Sequence, residues 1–103
     1  MPRMDRLSNY ATTISERNGN TCITYHETVI VEFDREHIIL RTGGWDTVTT
    51  RRKMNQASRQ FDLGYGVFRI KGETCLQTDA SQCFYVGSPW QIDRASGVIK
   101  VLP

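Results

Sequence analysis

No stretch of this 103-residue chain approaches the length of apolar sequence needed to cross a bilayer; a spanning helix takes about 20 such residues. The mean hydropathy of −0.43 points the same way. The opening Met1-Pro2-Arg3-Met4-Asp5-Arg6 has no apolar stretch behind its charges, so no secretory leader is expected and the cytosol is the expected compartment. Cysteine is scarce and odd in number: Cys22, Cys75 and Cys83 cannot all pair within one chain, unlike the bridge frameworks of small secreted domains. Only three prolines are present, and one residue in ten is aromatic, which argues against a disordered chain. Charge of one sign is lacking too, with 13 basic and 11 acidic residues for a net +2. The length itself excludes a two-domain enzyme, a TIM barrel or a full dinucleotide-binding fold.

The pattern that is present is mainly that of short strands. Residues 9–15, 21–26, 28–33 and 37–41 carry β-branched and aromatic side chains in alternation, with Val29, Val31 and Phe33 expected on one face of the clearest strand and Thr28, Ile30 and Glu32 on the other. Asn18-Gly19 between the first two is a hairpin turn signal, since both residues tolerate positive φ. Residues 66–70, 74–77, 82–86, 90–93 and 98–101 repeat the strand signal, separated by turns such as Lys71-Gly72-Glu73. Only one segment has a helical period. From about Thr50, Met54, Ala57 and Phe61 recur at spacings of three and four, Asp46 to Thr50 offer caps, and Gly64 suits a left-handed end. The expected fold is α+β: an antiparallel sheet of about six to eight short strands in hairpins, with one central helix (about residues 50–63) packed on one face. Residues 1–8 are expected to fray, and 9–103 to form a single domain.

Charge is unevenly spread. Residues 45–60 hold Arg51, Arg52, Lys53 and Arg59 against Asp46, while the rest of the chain is slightly acidic. Ten of the thirteen basic residues are arginine, whose planar fork suits phosphate and carboxylate. The Gly43-Gly44-Trp45 turn feeds a helix start rich in threonine, including Thr49 and Thr50, where free N–H groups and the helix dipole favour anions. Arg52, Asn55, Gln56 and Arg59 form the expected polar stripe, with residue types that read base edges, and Trp45 could stack on a base. The candidate partner- or nucleic-acid-binding set is therefore Gly43, Gly44, Trp45, Thr49, Thr50, Arg51, Arg52, Lys53, Asn55, Gln56 and Arg59. Set against it is a simpler reading, in which the tryptophan closes the core and the charged face is merely solvated.

Other chemistry is poorly served. Cys22-x3-His26 and Cys75-x7-Cys83 contain zinc-ligand types, but not the short Cys-x2-Cys clamp, and Cys22 and His26 would lie about 13 Å apart on a strand. Neither a nucleophile elbow, a P-loop nor a metalloprotease motif occurs. Glu32, Asp34 and Glu36 surround a strand end, where carboxylates are solvated. No catalytic residue, metal or cofactor is expected, and the chain is read as a non-enzyme.

Thr28-Val29-Ile30-Val31-Glu32-Phe33-Asp34, Thr42-Gly43-Gly44-Trp45-Asp46-Thr47-Val48-Thr49-Thr50-Arg51, Met54-Asn55-Gln56-Ala57-Ser58 and Phe61-Asp62-Leu63-Gly64-Tyr65 together resemble a set of small bacteriophage and prophage proteins. The resemblance covers about 40 residues and implies a phage accessory product in the host cytoplasm, with no assigned activity. Proteins of that kind often act by binding a host or defence protein, or nucleic acid. The expected function is thus a non-enzymatic, anti-defence-type binder of a host or defence protein; the alternative is nucleic-acid binding through the Arg-rich helix 50–60. An exposed edge strand would also permit a homodimer.

Overall fold

A computed structural model describes residues 12–43, 47–84 and 89–102. Segment 1–8, Gly44, Trp45 and the last residues of the 82–86 strand lie outside them. The elements run β1 (Thr12–Arg17), β2 (Asn20–Tyr25), β3 (Thr28–Phe33), β4 (His37–Leu40), α1 (Val48–Phe61), β5 (Gly66–Ile70), β6 (Glu73–Gln77), β7 (Gln82–Phe84), β8 (Trp90–Asp93) and β9 (Ile99–Val101). The class is α+β, as the hydrophobic periods imply. Among the described residues, nine strands form two antiparallel sheets rather than one: six strands in the order β1-β2-β3-β4-β8-β9, and three in the order β5-β6-β7. The helix and the small sheet are an excursion between β4 and β8, which pair directly.

The turns follow their residues. Asn18 and Gly19 both have positive φ, 54° and 83°, the conformation whose twist matches the flanking strands. Asp34 Oδ1 accepts the Glu36 and His37 N–H groups, each at 2.8 Å, and so closes the β3–β4 connection.

The inner face of the large sheet is a set of cross-strand rows. Ile23, Val31, Leu40 and Trp90 lie in register across four strands, beside Phe33, Ile38, Ile92 and Ile99. Most of these are fully buried. Strict alternation fails at one point. Ile23 pairs with Val31 but Thr24 pairs with Val29, so β3 carries an extra residue, Ile30. Such a bulge sets two residues against one. Ile30 and Val31 are both buried, at 1% and 0% exposure, and Val29 is displaced from the row in which alternation would put it.

The helix packs between this sheet and the small one. Met54 and Ala57 are fully buried, and the Phe61 ring meets Phe33 with centroids 5.1 Å apart. Val67 and Leu76 supply the core face of the small sheet, with the half-buried Cys83 beside them. The helix starts at Thr47, whose Oγ1 accepts the Thr50 N–H at 3.1 Å. It ends at the cap residue Asp62 (φ 55°), and Gly64, expected at the left-handed end, is left-handed as well (φ 78°) two residues on. Aspartate is among the few side chains that visit this region readily.

Candidate interaction face on the helix

Three side chains lock the helix onto the segment that follows it. The Asn55 amide donates to the Val67 carbonyl at 2.7 Å and accepts the Val67 N–H at 2.8 Å. The Ser58 hydroxyl donates to the Tyr65 carbonyl at 2.8 Å and accepts its N–H at 3.1 Å. The Tyr65 hydroxyl donates to the Met54 carbonyl at 2.7 Å, and burial pushes its phenol pKa far above the ordinary value. The polar stripe is therefore partly consumed by the fold.

The basic residues divide. Lys53 turns inward and is 2% exposed, with Nζ 5.2 Å from the centre of the Tyr25 ring. Burial lowers its pKa. Arg51 is also buried. Arg52 and Arg59 are exposed and, among the described residues, neither has a carboxylate within ion-pair distance. Gln56 is buried rather than displayed, and its Oε1 has no hydrogen-bond partner among the described residues. Predicted as one outward stripe, Arg52, Asn55, Gln56 and Arg59 do meet: with Val48 and Arg51 they line a groove of about 430 Å³. Packing against two sheets widens the buried arc of the helix, which draws Asn55 and Gln56 out of the solvent-facing set.

The helix start borders a second cleft of about 410 Å³, lined by Tyr25, His26, Glu27, Thr28, Ile30, Thr42, Thr47 and Thr50. Thr50 is buried and sits 3.1 Å from the capping hydroxyl of Thr47. Thr49 is half-buried. Gly43 turns with φ 64° immediately against Thr28. Gly44 and Trp45 belong to the undescribed part of this loop. Thr28, Thr42 and the β2–β3 turn, which meet the helix start only in the folded chain, were not among the expected site residues.

Elsewhere, the Glu32 carboxylate accepts from the Asn20 amide at 2.6 Å and from the Arg41 guanidinium at 3.1 Å. The Asn20 bond first, then Arg41, outweigh partial burial and hold the Glu32 pKa below the usual range. Among the described residues no three His, Cys, Asp or Glu side chains gather as metal ligands, the three cysteines are free thiols, and no helix is long and apolar enough to cross a membrane.

Comparison with known proteins places the chain in a phage setting. The model of one family, the Kyanoviridae Gp96 protein, matches residues 3–96. The match extends well past the 28–67 stretch that carries the phage-like residues. Neither curated proteins nor solved structures give a significant match. The chain belongs to the Kyanoviridae Gp96 family of phage proteins.

Proposed function

We propose that this phage protein is a non-enzymatic accessory factor that binds and modulates a host or defence protein in the host cytoplasm, as an anti-defence inhibitor would, using the outer face of α1. One observation carries the reading. In a chain of net charge +2, Arg52 and Arg59 stand exposed over a groove with no carboxylate partner among the described residues. Arginine beside a small pocket is a common anchor of protein interfaces. Base-edge readout is a weaker fit, because both amide atoms of Asn55 are committed to Val67 and Lys53 is turned into the core.

The test is capture from host lysate with cross-linking, comparing wild type with Arg52→Glu/Arg59→Glu and with a control reversal on β9, Lys100→Glu. A partner held by wild type and by the control, and lost with the double variant, is the expected result. Equal capture by all three chains, or none by any, overturns the reading. Retention of duplex DNA or of RNA at about 50 mM salt, falling steeply as salt rises, would support nucleic-acid binding instead.

A further inference from the structure

The groove beside α1 combines two unmet requirements. Arg52 and Arg59 offer guanidinium forks, which pair best with a planar carboxylate. Gln56 lines the same groove, is 2% exposed, and carries an Oε1 acceptor with no partner among the described residues. A buried acceptor left unpaired is unfavourable, and rotation of the carboxamide about its last bond can turn its oxygen toward the groove. A ligand that satisfies the whole groove must bring an anionic oxygen and, close to it, an N–H donor. Val48, 61% exposed at the rim, adds a small apolar contact.

We propose that the groove takes an acidic peptide segment of the partner, an Asp or Glu carboxylate seated between Arg52 and Arg59 and a neighbouring backbone N–H donated to Gln56 Oε1. This rests on the protein-binding reading above and gives the partner's contact surface its chemistry. A peptide carries carboxylate and N–H at fixed short separation in every acidic residue. Phosphate at neutral pH is almost purely an acceptor and leaves the Gln56 oxygen unpaired. A nucleic-acid base has N–H donors, but the one side chain placed to read it in two directions, Asn55, is bound to Val67.

The probe is acetyl-Gly-Asp-Glu-Asp-Gly-amide, with the Asn/Gln analogue and a short thymidine oligonucleotide as comparators. Binding is followed on ¹⁵N-labelled protein through the Gln56 side-chain amide and the Arg52 and Arg59 Nε–H signals. The acidic peptide should shift all three sets saturably, and its neutral analogue should not. Arg52→Glu/Arg59→Glu should abolish the shifts, and Gln56→Leu, which keeps the volume but removes the acceptor, should weaken binding about threefold to tenfold. Gln56→Leu should also raise Tm in the absence of peptide, a result that a solvated Gln56 would not give.

Shifts with the oligonucleotide and none with the peptide overturn the proposal in favour of a nucleic-acid ligand, and no shift with either overturns it outright. Peptide binding unchanged by Gln56→Leu overturns the N–H contact. If lysate capture depends on Arg52 and Arg59 while the peptide gives no shift, this inference falls and the protein-binding reading stands. If the peptide binds and no lysate protein depends on the arginines, the protein-binding reading falls, and the assignment of the groove to a partner's acidic segment falls with it.

Discussion

At Gly43 the backbone takes φ 64°, and a Cβ there would lie 2.6 Å from Thr28 Cγ2. Both facts require glycine: positive φ strains other residues, and the Thr28 side chain leaves no room. Gly43→Ala should destabilise the protein by about 1–3 kcal/mol in chemical denaturation, and paired with Thr28→Gly it should recover part of the loss, because only the steric share is relieved. Asn55 is a second residue whose role is local and specific. Its amide completes both hydrogen-bonding groups of Val67, so Asn55→Ala leaves a donor and an acceptor unmet and should cost about 1–3 kcal/mol. Asn55→Asp keeps the acceptor but loses the donor, and should fall in between. Had Asn55 been a solvated or base-reading residue, neither change would move the denaturation midpoint. Asn and Gln on a helix look alike in the sequence whether they face water, a strand edge or a ligand, and only the packed neighbour decides.

The helix is held by apolar side chains on one side and by polar clamps on the other. Met54 is fully buried among both sheets, and Met54→Ala should cost about 2–5 kcal/mol. Ser58 and Tyr65 fix the turn after the helix through three hydrogen bonds. The existence of the helix, and its Met54–Ala57–Phe61 face, were readable from the 3.6-residue period. So were most strands and the Asn18-Gly19 hairpin, whose signals are local. The partition into two sheets was not readable, because nothing in the alternation says that β4 pairs with β8 across about 50 residues of intervening chain. The bulge at Ile30 was likewise hidden. A run such as Thr28-Val29-Ile30-Val31 is apolar at every position except the first, so it fits two registers, and the partner strand β2 selects between them. The candidate site was readable as a cluster of charge but not as a surface. Lys53 turns inward onto Tyr25 of the large sheet, Asn55 is clamped to β5 of the small one, and Gln56 is buried, on a helix face that composition alone presents as polar.

For the whole molecule, Glu32 and Tyr65 contribute pH dependences of stability with opposite signs. Glu32 has a folded-state pKa below its ordinary value of about 4.3. Its contribution is fully present above that value and fades as the pH falls through the folded one, so Glu32→Gln should flatten the acid limb of a Tm-against-pH curve. Tyr65 has a folded-state pKa raised well above about 10. Its contribution is intact below pH 10 and is lost as the pH rises further, because the unfolded chain ionises first; Tyr65→Phe should remove that alkaline dependence while lowering stability at neutral pH through loss of the bond to Met54. The same chain is close to electrically neutral, and its exposed positive charge on α1 is confined to Arg52 and Arg59 over one groove. That distribution makes a single contact by charge the central functional claim for this phage protein. Capture of host partners by wild type and by Arg52→Glu/Arg59→Glu, with the two chains first shown to have the same Tm, tests it most directly. Loss of a defined partner with the double variant is the predicted result; an unchanged set of captured partners would contradict it.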